Sequence, residues 1–209
     1  MNFENAQLTI PHTLPPVSYV HSVVKFSAMK FLHLLANRID ALNEAIGRLV
    51  SWFTLGMVMI TFAVVVLRYA FNLGWIAMQE SVTYLHALVF MLGAAYTLKH
   101  DGHVRVDIFY GKLGVRGRAW VDLAGTLLLL LPVSGFILWV SWEYVTASWS
   151  LLEGSREQGG LPGVFLLKSA IPALSILLIL QGVAQVIRSL LVITGHPAAT
   201  VSTPGINEL

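Results

Sequence analysis

Cysteine is absent from this sequence. That excludes disulfides, thiolate metal sites and a cysteine nucleophile, and leaves the redox compartment open. Charge is scarce too. Asp, Glu, Lys and Arg make up 11% of the 209 residues, against roughly 25% in an average soluble domain. That is too little polar surface to coat a water-soluble globule of this size, so the solvent for much of the chain is lipid. No phosphate-binding loop with a Lys-Ser/Thr pair is present. The glycine-containing stretch LEGSREQGGLPG lacks that pair and a following soluble helix, so ATP is not implied. No Ser/His/Asp arrangement can be argued, and the basic residues flank apolar runs instead of forming a nucleic-acid patch. The first basic residue is Lys25. Without a basic region ahead of a compact apolar run, a cleaved signal peptide is not expected.

Long apolar runs are what the sequence does have. Hydrophobic residues make up 56% of the chain and the mean hydropathy is +0.72. Between Arg48 and Arg68 lie 19 uncharged residues, between Glu80 and Lys99 18, between Asp122 and Glu143 20, and between Lys168 and Arg188 19. Each run matches the ~20 residues a helix needs to cross the hydrocarbon layer. A helix satisfies its own backbone polar groups, and the runs are continuous, not alternating, so barrel strands are not expected. The expected fold is all-α, an integral membrane protein with four transmembrane helices at about 49–71, 76–98, 119–143 and 164–190. These lie in a domain of residues 31–195, with tails at 1–30 and 196–209. Pro11, Pro15 and Pro16 suggest that the first tail is mobile.

From Phe31 to Leu49 apolar residues recur at helical spacing, with Lys30, Arg38, Asp40 and Glu44 on much of the other face. Two readings stand open: an amphipathic N-terminal helix in the membrane interface, or a long first helix continuing into the cytoplasm. Glu44 and Arg48 are four apart in the favourable order for an ion pair. Ten basic residues flank one side of the expected spans and three the other. The positive-inside rule puts both termini and the central loop, Lys99 to Arg118, in the cytoplasm. Pro132 and Pro172 interrupt spans three and four, to kink them or to ease packing. No span contains a GxxxG pair, so a glycine seam gets no support.

The span interiors hold no Asp, Glu, Lys or Arg. Four charges, Arg68, Glu80, Glu143 and Lys168, fall at the outer ends at similar depth. They could pair as a gate, or anchor the helices at the interface, the reading favoured by the falling cost of charge away from the bilayer centre. His86 is the one histidine within a span. A bis-histidine haem needs a second, so His86 reads as a hydrogen-bonding group for a neighbouring helix or a partner. In KHDGHVRVD, His100, His103 and Asp107 match no strong metal spacing. Gly102 is expected to end the second helix and Asp107 to cap a short following one. No catalytic, cofactor or metal site is expected in the chain.

The stretch MQESVTYLHALVFMLGAAYTLKHDGHVRVDIFYGKL, residues 78–113, resembles the small membrane subunit of TRAP transporters, the tripartite ATP-independent periplasmic transporters, of the DctQ-like family. Glu80, Gly93, Ala94, Gly102, His103, Val106 and Asp107 carry most of the likeness, which extends over about residues 36–192. RIDALNEAIGRLVSW, RAWVDLAGTLLLLLP and GGLP resemble a subgroup labelled for mannitol or chloroaromatic compounds, or for 2-oxo acids. Gln79 departs from the pattern, standing where many relatives carry a second acidic residue.

The resemblance implies a small permease subunit in the bacterial inner membrane, supporting ion-coupled, ATP-independent uptake of an organic acid or related solute. It implies a large TRAP membrane subunit that binds sodium and substrate, and a periplasmic solute-binding protein that docks transiently. Glu80, Gly93, Gly102, His103 and Asp107 are then the family-motif residues that could meet a partner. Two other classes stay open, a self-sufficient small oligomeric transporter and a membrane anchor for another complex. The first needs an ionisable residue deep in a span, where His86 is the best available. The second needs haem histidines or a soluble domain.

Overall fold

The computed structural model describes residues 17–103 and 110–195, with the side chains of residues 17–26 and of Ala28 outside that description. Every regular element among them is helical. Helix α1 runs Val17–Ala70 and α2 Ile76–Lys99. The third span is built from α3 (Val115–Gly125), a π-helical turn (Thr126–Leu130) and α4 (Leu131–Ser150). The fourth is built from α5 (Val164–Lys168) and α6 (Ala170–Ile193). Four helical segments are long and apolar enough to cross a membrane, as the charge-free runs led one to expect.

Helix α1 is continuous over 54 residues, about 80 Å at 1.5 Å per residue. The amphipathic stretch from Phe31 is therefore continuous with the first span, in the leading half of the helix that forms it, and not a separate element. Residues 17–30, assigned from sequence to a tail, form its first turns. Pro16 stands just ahead of the helix, where proline is tolerated, and no glycine or proline interrupts the next 30 residues.

The two intraspan prolines have distinct effects. Pro132 lacks the N–H that would bond the residue 128 carbonyl, and its ring crowds that carbonyl. The backbone answers with the π turn of Thr126–Leu130 just before it. Pro172 falls in the first turn of α6, where no intrahelical donor is needed. Its cost shows as the break at Ser169 between α5 and α6.

Helix α6 is the hub. It packs against α1, α2, α3 and α4, whereas α1 and α2 have little contact with the third span. Burial follows: 39% of the fourth apolar window is buried, against 6% for each of the first two. Ala36 and Ile39 of α1 meet Ala184, Ile187 and Leu191 of α6 in a small apolar core. Single glycines set two close approaches. A Cβ on Gly47 would stand 2.3 Å from the Tyr96 ring, and one on Gly182 would stand 2.9 Å from Leu131 beside the π turn. Glycine therefore does shape the packing. The absence of a GxxxG pair misses this because each approach uses one glycine against a large side chain.

Candidate functional site

Polar side chains gather in three places: one rim of the bundle, called outer after the orientation expected from the basic residues, the opposite or inner rim, and one face of α2. At the outer rim Glu80 lies in the first turns of α2. Its carboxylate accepts hydrogen bonds from Ser155 Oγ and from the Leu161 backbone N–H, the latter at 2.6 Å. It thereby holds the loop between α4 and α5 at two points. Gly160 is required there, since a Cβ would come within 2.3 Å of Ser155 Oγ. The loop opens with Leu152 in the left-handed region, φ +45°. The turn is closed by Glu153 N–H to the Ser148 carbonyl at 3.1 Å and Leu152 N–H to the Trp149 carbonyl at 3.2 Å.

The loop residue Glu153, and not Glu143, is the partner of Lys168. Ser148 Oγ also donates to it at 2.7 Å. Lys168 and Ser148 together hold the Glu153 carboxyl below the usual carboxylate range. Lys168 Nζ also stands 4.0 Å above the Tyr144 ring. Arg68 and Glu143 are exposed, and among the described residues neither joins an ion pair. The four outer charges thus do not assemble into one gate. Two of them fasten the same loop and two stay apart.

The inner rim contains what sequence reading missed. Asn43 and Gln181, each 1% exposed, face one another across α1 and α6. Asn43 Nδ2 donates to Gln181 Oε1 at 2.6 Å, and Gln181 Nε2 donates to Asp40 Oδ1 at 3.2 Å. Asp40 also receives Arg188. Asn43 Oδ1 is buried without a hydrogen-bond partner among the described residues. Gln181 was the available signal, an amide inside an otherwise apolar run. One turn along, Glu44 accepts from Arg48 at 3.2 Å, from Lys99 at 2.6 Å and contacts His100 at 2.9 Å. The expected Glu44–Arg48 pair is present within a larger cluster tying α1 to the end of α2.

The family-motif residues divide between these places. Gly93 and His103 line one open groove of about 530 Å³ between α1 and α2, with Gly47, Ser51, Thr54 and Thr97. Gly102 lies between them in sequence. The left-handed residue ending α2 is Asp101, φ +53°, and not Gly102. Gly102 follows it, donating its N–H to the Thr97 carbonyl at 2.9 Å, and a Cβ there would press on Thr97 at 3.0 Å. Glu80 is at the opposite end of α2, in the loop clamp. Asp107, with its expected helix cap, lies outside the described residues. His86 is exposed on α2. Among the described residues no group of three or more His, Asp or Glu could hold a metal ion.

No solved structure matches the chain. A C4-dicarboxylate TRAP transporter small permease protein, DctQ, of Vibrio cholerae serotype O1 (strain ATCC 39315 / El Tor Inaba N16961) is 29% identical over 109 residues. The match covers 52% of this chain and 47% of that protein, so the chain spans about half the length of the curated relative. The family model for the DctQ component of tripartite ATP-independent periplasmic transporters matches residues 57–192, a stretch that takes in most of α1's membrane half and everything through α6. With four membrane-length helices and well over half of its length matched, this multi-pass protein belongs to the DctQ family, a family of TRAP transporter components.

Proposed function

We propose that this chain is the small scaffold subunit of a TRAP-type secondary transporter in the bacterial inner membrane, with both termini cytoplasmic. It acts with a large membrane subunit, which binds sodium and substrate, and with a periplasmic solute-binding protein. The cargo is an organic acid or related solute chosen by the binding protein. The C4-dicarboxylate named for the Vibrio relative falls in that class.

The observation that carries this reading is where the charges go. An ion path across a membrane calls for an ionisable residue at depth, facing a cavity. Here the carboxylates of the helices sit at the two rims. Glu80 holds a loop and Glu44 and Asp40 tie helices together. That is the chemistry of a fixed frame.

Reconstitution tests it. Liposomes holding this chain and the large subunit, supplied with binding protein, solute and a sodium gradient, are expected to accumulate solute. Liposomes lacking this chain are expected to lose that uptake, and the chain alone to show none. Sodium-driven uptake by the purified chain alone refutes the scaffold reading.

A further inference from the structure

The second span combines low apolarity with low burial. Its mean hydropathy is 1.4, against 2.2 or 2.3 for the other three, yet only 6% of it is buried within the chain. A bundle that met lipid on all sides would turn its most polar span inward. Gln79, Thr83, His86 and Phe90 follow one another at intervals of four, three and four, so they form one face of α2, and all four are exposed. His86 lies six residues below Glu80, roughly 9 Å along the helix, among residues that cross hydrocarbon. A neutral imidazole has one donor and one acceptor, and acyl chains satisfy neither. The third span is the contrast: its exposed residues Leu128, Leu129, Val133, Phe136 and Trp139 are all apolar, as a lipid-facing surface should be.

Gly93 supplies an independent observation. It continues the same face of α2 into the groove with α1. Glycine is a poor helix former, and here no described residue gives a reason for it. A Cβ on Gly93 would meet only Val50, at 4.0 Å, whereas Gly47 directly across the groove is pressed against Tyr96. The space above Gly93 is open for a close-approaching neighbour. Small residues on both walls of the groove are what allows helix backbones to approach in a membrane.

We propose that the Gln79–Thr83–His86–Phe90 face of α2, with the adjoining α1/α2 groove, seats a transmembrane helix of the large subunit that brings a hydrogen-bonding side chain to His86. The identity of the partner rests on the scaffold reading above; the polarity of the face is what calls for a helix and not lipid.

The chain is co-expressed with the large subunit carrying an affinity tag, and a photoactivatable benzoylphenylalanine replaces Phe90 or, as the lipid-facing control, Phe136. The Phe90 probe is expected to form an adduct with the large subunit, and the Phe136 probe none. His86→Leu should reduce the co-purified chain roughly threefold, the scale of an interhelical hydrogen bond in a membrane, while His86→Gln should retain most of it. Gly93→Leu should reduce it roughly fivefold or more through overpacking. The variant chain's own helix content and detergent elution should be unchanged, because its Cβ has room. An adduct from Phe136 but not Phe90, an adduct of Phe90 with a second copy of this chain, or undiminished co-purification of Gly93→Leu overturns the inference. If the wild-type chain does not co-purify with the large subunit at all, the scaffold reading itself fails.

Discussion

Replacing Gln181 by Met removes the buried partner that Asn43 faces across α1 and α6, and should destabilise the bundle disproportionately. Both side chains are 1% exposed, and Asn43 Oδ1 already lacks a partner among the described residues. In Gln181→Met the Asn43 Nδ2 becomes an orphan too, and Asp40 loses one of its donors while keeping Arg188. Leaving a buried polar group unsatisfied costs about 1–3 kcal/mol. Methionine nearly matches glutamine in shape, so the cavity contribution is small. The single variant should lose roughly 2–3 kcal/mol. Adding Asn43→Leu removes the orphaned amide altogether. The double variant should then be less destabilised than Gln181→Met alone, or at worst equal to it, with a coupling of about 1–2 kcal/mol. The assay is a double-mutant cycle on reversible unfolding in mixed micelles. If the two losses simply add, the amides do not act as a pair and the argument fails.

Other expectations follow from the same geometry. Gly47→Ala should cost about 1–3 kcal/mol by forcing the Tyr96 ring away, and Tyr96→Ala in the same chain should recover part of it; equal stability of Gly47→Ala and wild type in the unfolding assay contradicts the close approach. Glu80→Ala should speed tryptic cleavage at Arg156 because the loop loses both holds, while Glu80→Gln, which can still accept from Leu161 N–H, should be cut more slowly than Glu80→Ala. Glu153 titrates below the usual carboxylate range when folded, so its tie to Lys168 is complete above that range and is lost as pH falls through the lowered value. A spin label at Gln158 should therefore stay ordered from neutral pH down to about 4, the ordinary carboxylate value, and gain mobility below it. Mobilisation at pH 6 refutes this, and Glu153→Gln should be mobile throughout. Because the native chain lacks cysteine, a single Cys at Gln158 should react with an impermeant reagent in intact cells and one at Lys112 should not; the reverse result inverts the topology.

The membrane-crossing runs were legible because the cost of burying charge in hydrocarbon empties those stretches of Asp, Glu, Lys and Arg. The family likeness was legible because Gly93, Gly102 and His103 sit at a helix end with a distinctive local sequence. Which helix lies at the centre was not. The fourth span is level in mean hydropathy with the first and third, 2.2 against 2.3 and 2.2, so apolarity alone does not single it out, and the central place of α6 depends on which faces meet. The Lys168–Glu153 pair was hidden because similar expected depth in the membrane grouped Lys168 with Arg68, Glu80 and Glu143, whereas the turn at Leu152 folds the loop carboxylate back toward Ser148. Asn43 and Gln181 could have been found by asking where two amides within apolar surroundings satisfy each other. Gly47 could have been found by weighing lone glycines as well as pairs.

Helix α1 makes the chain sensitive to its bilayer in a particular way. An unbroken helix has no joint at which its N-terminal half can turn independently of its membrane half. When the surrounding lipid is thinner than the apolar stretch, such a helix answers by tilting. The 30 residues from Val17 to Ile46 then act as a lever of roughly 45 Å, and a tilt of about 5° sweeps the tip sideways by about 4 Å. The Asp40–Arg188 and Asn43–Gln181 contacts lie near the base of that lever, where displacement is least. Thinning of the membrane is thus converted into sideways motion at the N-terminal tip while the hub contacts stay engaged.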